Sequence, residues 1–312
     1  MNDPAELVGR STEWEPFVCD RWRTERVLSA SGLAQSPYVP TSGQAEMVPP
    51  SFLSAQYVDA FALGIPDAPA RLNGGNSCRW LADARVGDRL ERRSEIVGAD
   101  SKAGRTGRLD VYQIETRYRR LESGAPVAVL GYTAIRRYPS TGSTGPARRS
   151  PTATSGGHDS RTLPRTATRA LTVLATPRQV VSYAVATDDL YEAHYDAGAA
   201  MAAGLPGTIL HGLLKLAWFA RAALEHAGDG SVVREIEARY HGLDRVADEF
   251  SVWVAAPDDA EDGRLQLFGG HAEDAITTTG TVVLDQPMDD RVARARLSQP
   301  TMPRDGTNGE LS

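Results

Sequence analysis

Residues 79–90 read RWLADARVGDRL, and residues 239–250 read RYHGLDRVADEF. Arg79 aligns with Arg239, Trp80 with Tyr240, Arg85–Val86 with Arg245–Val246 and Asp88 with Asp248. Each copy is an aromatic strand end, a turn, and a new strand that begins after a polar corner. The two halves also close alike, on GYTAI at 131–135 and GTVVL at 280–284, both β-type segments. Two matches in the same order and at similar spacing read as a duplicated fold. The length of 312 residues suits two domains of about 150 residues each.

Working outward from that repeat, each half reads as a helix-rich start followed by strands. In the first half, PPSFLSAQYVDAFALG (49–64) carries Phe52, Ala55, Val58, Ala62 and Leu63 at helical spacing, which predicts a central helix. Leu90–Val97, Leu109–Tyr118 and Ala125–Tyr138 read as strands, the last two joined by a turn at Glu122–Ser123–Gly124. In the second half Arg169–Leu174 reads as a strand, and Thr176–Pro177 as an N-cap with proline at the first helical position. A long apolar helix spans about Ile209 to His226, followed by strands at Phe250–Ala256, Arg264–Phe268 and Thr277–Leu284. A helix apolar nearly all round, followed by antiparallel strands, fits a helix wrapped in a curved sheet. The stretch 139–165 is rich in Ser, Thr, Gly and Pro and reads as an exposed linker. The expected domains are therefore 1–138, the linker, 166–285, and a disordered polar tail at 286–312.

A formal charge of −6 and no basic stripe argue against a nucleic acid or an anionic membrane as partner. Cys19 and Cys78 are the only cysteines, so a disulfide framework or a CxxC metal or redox site is not expected. The first residues lack the apolar core of a signal peptide, and no run of eighteen apolar residues suggests a membrane span. The expected location is cytoplasmic. Lys102 and Lys215 are the only lysines in an arginine-rich chain, which points to a high-GC genome rather than to a function.

The segment TDDLYEAHYDAGAAMAAGLPGTILHGLL (187–214) carries the chemistry. Asp189 precedes His194 on one loop, and a carboxylate paired with an imidazole makes an acid/base couple whose pKa values the environment can separate. Downstream, Ile209–Leu210–His211–Gly212 opens the apolar helix. Its backbone N–H groups and positive dipole end suit a polarised carbonyl. His211 itself reads as a structural or capping residue. His158, His226, His241 and His271 show no partner pattern, and no set of residues has metal-ligand spacing. The first half has no histidine before the linker, so it cannot hold a second such couple. It reads as scaffold and as a cavity wall for a bulky group. Arg119–Arg120 and Arg136–Arg137 read as solvated strand faces, with a phosphate or an acidic protein as the second reading.

This segment resembles the signature of the MaoC-like (R)-specific enoyl-thioester hydratases and dehydratases, D-x-N-P-x-H followed by G-x-P…H-G. Asp189, His194 and His211–Gly212 stand at its Asp, His and His-Gly positions. The first half resembles the FAS1-like, non-catalytic partner domain of fused members: LVGRSTEW (7–14) its start, VPPSF its helix entry, WLADARVGDRL its strand corner. The resemblance covers residues 5–138 and 166–284. It implies an α+β double hotdog, two units each with a long helix wrapped by an antiparallel sheet. It also implies an acyl-CoA or acyl-carrier-protein thioester as partner, with no metal and no cofactor, and a homodimer of double hotdogs as the assembly. Asp189 and His194 would be catalytic, with backbone N–H groups of Gly212 and Leu213 holding the thioester carbonyl. The implied reaction is reversible hydration or dehydration of a 2-enoyl/3-hydroxyacyl thioester, in the dehydrating direction for biosynthesis. Three departures mark this chain. Tyr191 stands for the family's Asn, Glu192 for its Pro, and Thr208 for a Pro beside the helix entry. Tyr191 is thus a modulator, its phenol able to hydrogen-bond in place of the amide. A catalytically silent thioester-binding or carrier-docking module and a hotdog thioesterase remain as alternatives.

Overall fold

The computed structural model describes residues 3–34, 37–39, 46–56, 58–104, 107–139, 162–228, 230–256 and 263–285. Most of the expected linker and all of the expected tail lie outside these residues. The first half contains β1 (Glu15–Val18), α1 (Arg21–Ser31), β2 (Ala70–Trp80), β3 (Arg89–Gly104), β4 (Gly107–Arg120) and β5 (Pro126–Pro139). The second contains β6 (Thr168–Leu174), α2 (Pro177–Thr187), α3 (Ala197–Ala202), α4 (Gly212–Ala227), β7 (Val232–Tyr240), β8 (Glu249–Ala255), β9 (Arg264–Gly270) and β10 (Ile276–Asp285).

The strands form one ten-stranded sheet in the order β1-β3-β4-β5-β2-β7-β10-β9-β8-β6. Read outward from the β2–β7 join, the two halves have the same order. Gly75–Arg79 pairs antiparallel with Arg239–Glu235 across that join, which closes the edge each half would otherwise expose. The corners that carry the repeat are superimposable in their hydrogen bonds. Val48 N–H donates to Ala84 O and Val86 N–H to Glu46 O, both at 3.0 Å. In the second half Leu210 N–H donates to Asp244 O at 2.8 Å and Val246 N–H to Thr208 O at 3.0 Å. The closing strands correspond less tidily, since Gly131 faces Ser77 and Gly280 faces Ala238, a slip of one residue against the aligned repeat.

Helices α1 and α2 start alike on side-chain caps, from Asp20 to Arg23 N–H at 2.9 Å and from Thr176 to Gln179 N–H at 3.2 Å. Pro177 occupies the first turn of α2, as the sequence leads one to expect. The long helix of the second half forms as α4, and packs against β2, β6, β7, β8, β9 and β10. Leu214, Leu216, Trp218, Phe219 and Leu224 are all fully buried, each contributing about 1.5–3 kcal/mol.

The first half departs from expectation. Its central segment is a chain of turns over 50–56 and 60–64, not a helix. Phe52 N–H donates to Pro49 O, Ala55 N–H to Ser51 O and Gln56 N–H to Leu53 O, so the bonds alternate between three- and four-residue steps. Side chains also compete for the backbone: Gln56 Nε2 takes Phe52 O, and the Asp59 carboxylate takes the N–H groups of Phe61 and Ala62. Of the expected apolar face, Phe52, Ala55 and Leu63 are buried, Val58 is half-buried and Ala62 is exposed; residues 51–56 are buried throughout, so no single helical side faces the core.

Glycines in β9 and β10 shape the seat of α4. A Cβ on Gly269 would run into the Phe250 ring and lie 2.9 Å from Phe219 Cε1, and one on Gly280 would lie 2.9 Å from Phe219 Cε2. Gly269→Val should therefore destabilise the protein by about 1–3 kcal/mol through overpacking. Thermal denaturation checks this, and an unchanged midpoint would mean that α4 is not held by this socket.

Candidate active site

Helix α2 ends on Asp188, whose φ of 59° is a left-handed turn that aspartate tolerates. The turn brings Asp189 back toward the sheet. A short 3-10 turn, Glu192–His194, follows and is zipped to the strand-like entry of α4. Ile209 N–H donates to Ala193 O at 3.0 Å, and His194 Nδ1 lies 2.8 Å from Ile209 O. A carbonyl only accepts, so Nδ1 carries the hydrogen and Nε2 presents its lone pair. That Nε2 lies 4.0 Å from Asp189 Oδ2, too far for a direct hydrogen bond. Both atoms can instead reach one oxygen between them.

His211 is the N-cap residue of α4 and makes no capping bond with its side chain. Its ring stacks on His194, with centroids 3.6 Å apart and planes 24° apart, and its Nε2 lies 3.4 Å from Asp189 O. Burial, and then the neighbouring His194, hold the His211 imidazole well below the ordinary histidine value, against the Asp189 backbone bond that raises it. His211 therefore stays neutral and serves as a platform under His194. The N–H groups of Gly212 and Leu213 find no acceptor among the described residues, as expected of a first helical turn without a cap. Gly212 must be glycine, because a Cβ there would lie 2.7 Å from Tyr240 Cε2.

Asp189, His194 and His211 offer ligand atoms within 4.8 Å of one another. Stacked rings suit a shared ion poorly. Their planes meet far beyond the roughly 2.0–2.1 Å at which an imidazole nitrogen holds zinc in its own plane.

Tyr191 lies in the site. Its ring meets His194 edge-on at 5.8 Å, and the Arg71 guanidinium from β2 sits over it at 4.4 Å. The phenol hydroxyl has no hydrogen-bond partner among the described residues. The ring, rather than the hydroxyl expected from the sequence, therefore makes the contacts.

These groups line a cavity of about 520 Å³ that runs from the second half into the first. Asp189, Tyr191, His194, Gly212 and Leu213 lie on its wall, as do Leu53, Val58, Asn76, Leu130 and Tyr132 from the first half. The turns at 50–56 and 60–64 contribute Leu53, Ala55, Ala60 and Phe61 to this wall. The arginine pairs differ in use. Arg119 is paired with Glu91, and Arg120 with Asp88 and the Asp83 carbonyl, so they are engaged within the sheet. Arg136 is buried on the cavity wall and donates to Pro66 O.

A network that the sequence reading missed reaches the cavity wall through Lys215 and Asp244. Lys215, one turn into α4, is 2.6 Å from Asp244 Oδ2, and both side chains are buried. Thr277 Oγ1 donates to Asp244 Oδ1 at 2.7 Å, and His271 Nε2 lies 3.1 Å from the same oxygen. Burial pushes the Asp244 carboxyl up, but the Lys215 charge and the hydrogen bonds from His271, Lys215 and Thr277 outweigh it and leave it below the ordinary value. The Asp244 hydrogen bond raises the His271 imidazole against burial, helped by Glu249 O 2.8 Å from Nδ1. Both ring nitrogens thus face acceptors, which favours the imidazolium.

A double hotdog is the class that this sheet, its enclosed helix and the site at the helix entry define. The FAS1-like, dehydratase domain region family matches residues 8–130, and the MaoC like domain family matches residues 157–267. The chain thus joins a FAS1-like dehydratase region to a MaoC-like dehydratase domain. Among solved structures it is similar to a MaoC-like dehydratase from Phytophthora capsici, with 17% identity and a TM-score of 0.66 over 92% of this chain and 100% of that one. A Mycobacterium tuberculosis protein with a double hotdog fold aligns at 13% identity and TM-score 0.61 over 89% and 96%. The full-length peroxisomal multifunctional enzyme type 2 from Drosophila melanogaster aligns at 16% and 0.65 over 88% of this chain and 48% of that one. No curated protein sequence matches the chain. The paired dehydratase regions support an enoyl-thioester hydratase or dehydratase, a hydro-lyase, in general terms. Among the described residues no helix is long and apolar enough to cross a membrane.

The Lys215–Asp244–His271–Thr277 network gives a stability test. A histidine whose folded pKa is raised contributes stability that is fully present below its unfolded value and lost as pH rises through the folded one. The melting-temperature gap between the wild type and His271→Gln should therefore be widest below pH 6.5 and shrink above it. A gap independent of pH would remove the imidazolium from the network.

Proposed function

We propose that the protein catalyses reversible hydration and dehydration of a 2-enoyl/3-hydroxyacyl thioester on CoA or an acyl carrier protein, running as a dehydratase in biosynthesis. We assign the chemistry to the 166–285 domain and a supporting wall to the 1–138 domain. The observation that carries this reading is the 4.0 Å gap between Asp189 Oδ2 and His194 Nε2. It admits one oxygen about 2.8 Å from each, beside two unused N–H groups at the start of α4.

The thioester carbonyl accepts from Gly212 and Leu213 N–H. In dehydration, His194 Nε2 takes the C2 proton, and the resulting enolate charge is held at that helix start. The C3–O bond then breaks, and the departing hydroxyl takes a proton from the Asp189/His194 couple and leaves as water. Hydration is the reverse, with water in the gap. Ile209 O stabilises the imidazolium through Nδ1–H, and His211 keeps the ring in place. The cavity reaching into the first half takes the acyl chain.

Asp189→Asn and His194→Ala should each abolish nearly all turnover of enoyl and 3-hydroxyacyl thioesters. The double change should cost little more than either, because the two act as a unit. Product analysis separates the alternatives: free thiol would indicate a thioesterase, and binding without product a silent module. A single variant that retains most activity would move the chemistry away from this couple.

Tyr191 supplies a second test. Tyr191→Phe keeps the contacts with His194 and Arg71 and should retain turnover within a few-fold. Tyr191→Ala removes the wall beside His194 and should lose roughly tenfold or more in kcat/KM, as small misplacements of a catalytic group do. Equal rates for the two variants would mean that the ring does not hold the imidazole.

A further inference from the structure

The cavity wall supplied by β2 is not a hydrocarbon surface. A regular strand would turn Asn73 and Asn76 to opposite faces, but the register shift between Asn73 and Gly75 brings both to the cavity side. There Asn73 Nδ2 donates to Asn76 Oδ1 at 2.7 Å. Gly75 N–H donates to Asn73 Oδ1 at 3.1 Å, which fixes the Asn73 amide with its NH2 toward Asn76. Asn76 must answer with its oxygen. The Tyr240 hydroxyl donates to that same oxygen at 3.1 Å. With Oδ1 taken twice, Asn76 Nδ2 is left with no acceptor among the described residues, although the residue is only 5% exposed and lines the cavity. The amide keeps its open surface toward the cavity, so the acceptor for this donor comes from whatever occupies the cavity. The Tyr240 ring that reaches Asn76 also lies against Gly212, so this donor stands one tyrosine away from the proposed carbonyl site.

We propose that Asn76 selects an acyl thioester bearing an oxygen function, a hydroxyl, ether or ketone, on the chain beyond C3, rather than a plain hydrocarbon chain. This rests on the hydration and dehydration reading of the site and names its substrate class. An acyl oxygen accepts from Asn76 Nδ2; a methylene at the same place leaves the donor dry. A site built to hydrogen-bond a substrate discriminates strongly against the analogue that cannot.

The test uses the full chain and 2-enoyl-CoA thioesters of one length, in which an ether oxygen replaces one methylene at successive positions from C5 outward. In the wild type, at least one position should be preferred over the hydrocarbon by roughly tenfold or more in kcat/KM. Asn76→Asp keeps acceptors for Asn73 and Tyr240 but has no donor, and Asn76→Leu has neither; both should lose that preference. A wild type that never prefers an oxygenated chain, or a preference that survives in both variants, overturns the proposal and leaves a water in the cavity as the partner of Asn76. If no thioester is turned over, it is the hydration reading that fails. Calorimetric Kd values for the matched saturated acyl-CoAs then decide on Asn76 separately: a wild-type preference lost in Asn76→Asp supports it, and equal affinities sink it.

Discussion

The antiparallel ladder between Gly75–Arg79 and Glu235–Arg239 is the constraint on which the rest depends. It joins two sheets of the same strand order into one surface, and the cavity runs along that surface. The Tyr240–Asn76 hydrogen bond crosses the ladder, and beyond its end Arg71 reaches over to Tyr191. Asn76 and Arg71 of the first half reach groups of the second at this ladder, while a second contact runs through α1, where Gln179 Nε2 of α2 donates to Ala30 O. Gly75 is part of the fit, since a Cβ there would lie 2.9 Å from Ala238 O. The bulge beside it re-aims Asn73, a common use of such irregularities near functional sites.

The two halves share their corners and differ in what leaves them. By the paired bonds at 46–48 and 208–210, Pro49–Pro50 stands where His211–Gly212 stands, Leu53 where Lys215 stands and Ala84 where Asp244 stands. In the second half that corner launches an enclosed helix whose first turn faces the cavity. The Lys215–Asp244 pair then ties the helix to the corner from which β8 leaves. In the first half apolar residues replace the pair, and turns replace the helix. Removing a helix from a hotdog would ordinarily cost the core. Here Phe52, Leu53 and Ala55 still fill it, and Leu53 and Ala55 also line the cavity. On the proposed function, the second half supplies the acid/base couple and the first half lines the space for the acyl chain.

Much of this was legible in the sequence because it depends on local or repeated signals. The 79–90 and 239–250 repeat locates the equivalent corners, Thr176–Pro177 marks the start of α2, and the apolar run from Ile209 marks α4. The pairing of Asp189 with His194 and the His211–Gly212 helix entry are short-range patterns as well. The turns at 50–56 and 60–64 were not legible, because apolar residues at helical spacing can be buried without a helix, as Phe52, Ala55 and Leu63 are. Pro49–Pro50 and Gln56 were the opposing signals. The Lys215–Asp244–His271–Thr277 network joins residues far apart in the chain, and no spacing rule assembles it. One cue was available: Lys215 is one of two lysines in an arginine-rich chain and sits inside an apolar helix. The bulge that brings Asn73 to Asn76 shows only as the Gly74–Gly75 pair.

The stacked histidines bear on how a proton is handled in so enclosed a place. Two imidazoles 3.6 Å apart cannot comfortably both be charged, since like charges at that distance repel strongly in a low-dielectric site. Burial settles which one yields: His211 is wholly buried and held neutral. His194 differs in its surroundings: its Nδ1–H faces the Ile209 carbonyl and its Nε2 faces Asp189. The same two residues, His211 and Gly212, begin the helix whose free N–H groups favour negative charge. Positive charge on His194 and negative charge at the α4 start are thus stabilised on opposite sides of the space between them. That is the separation which the proposed removal of a C2 proton from a thioester would use.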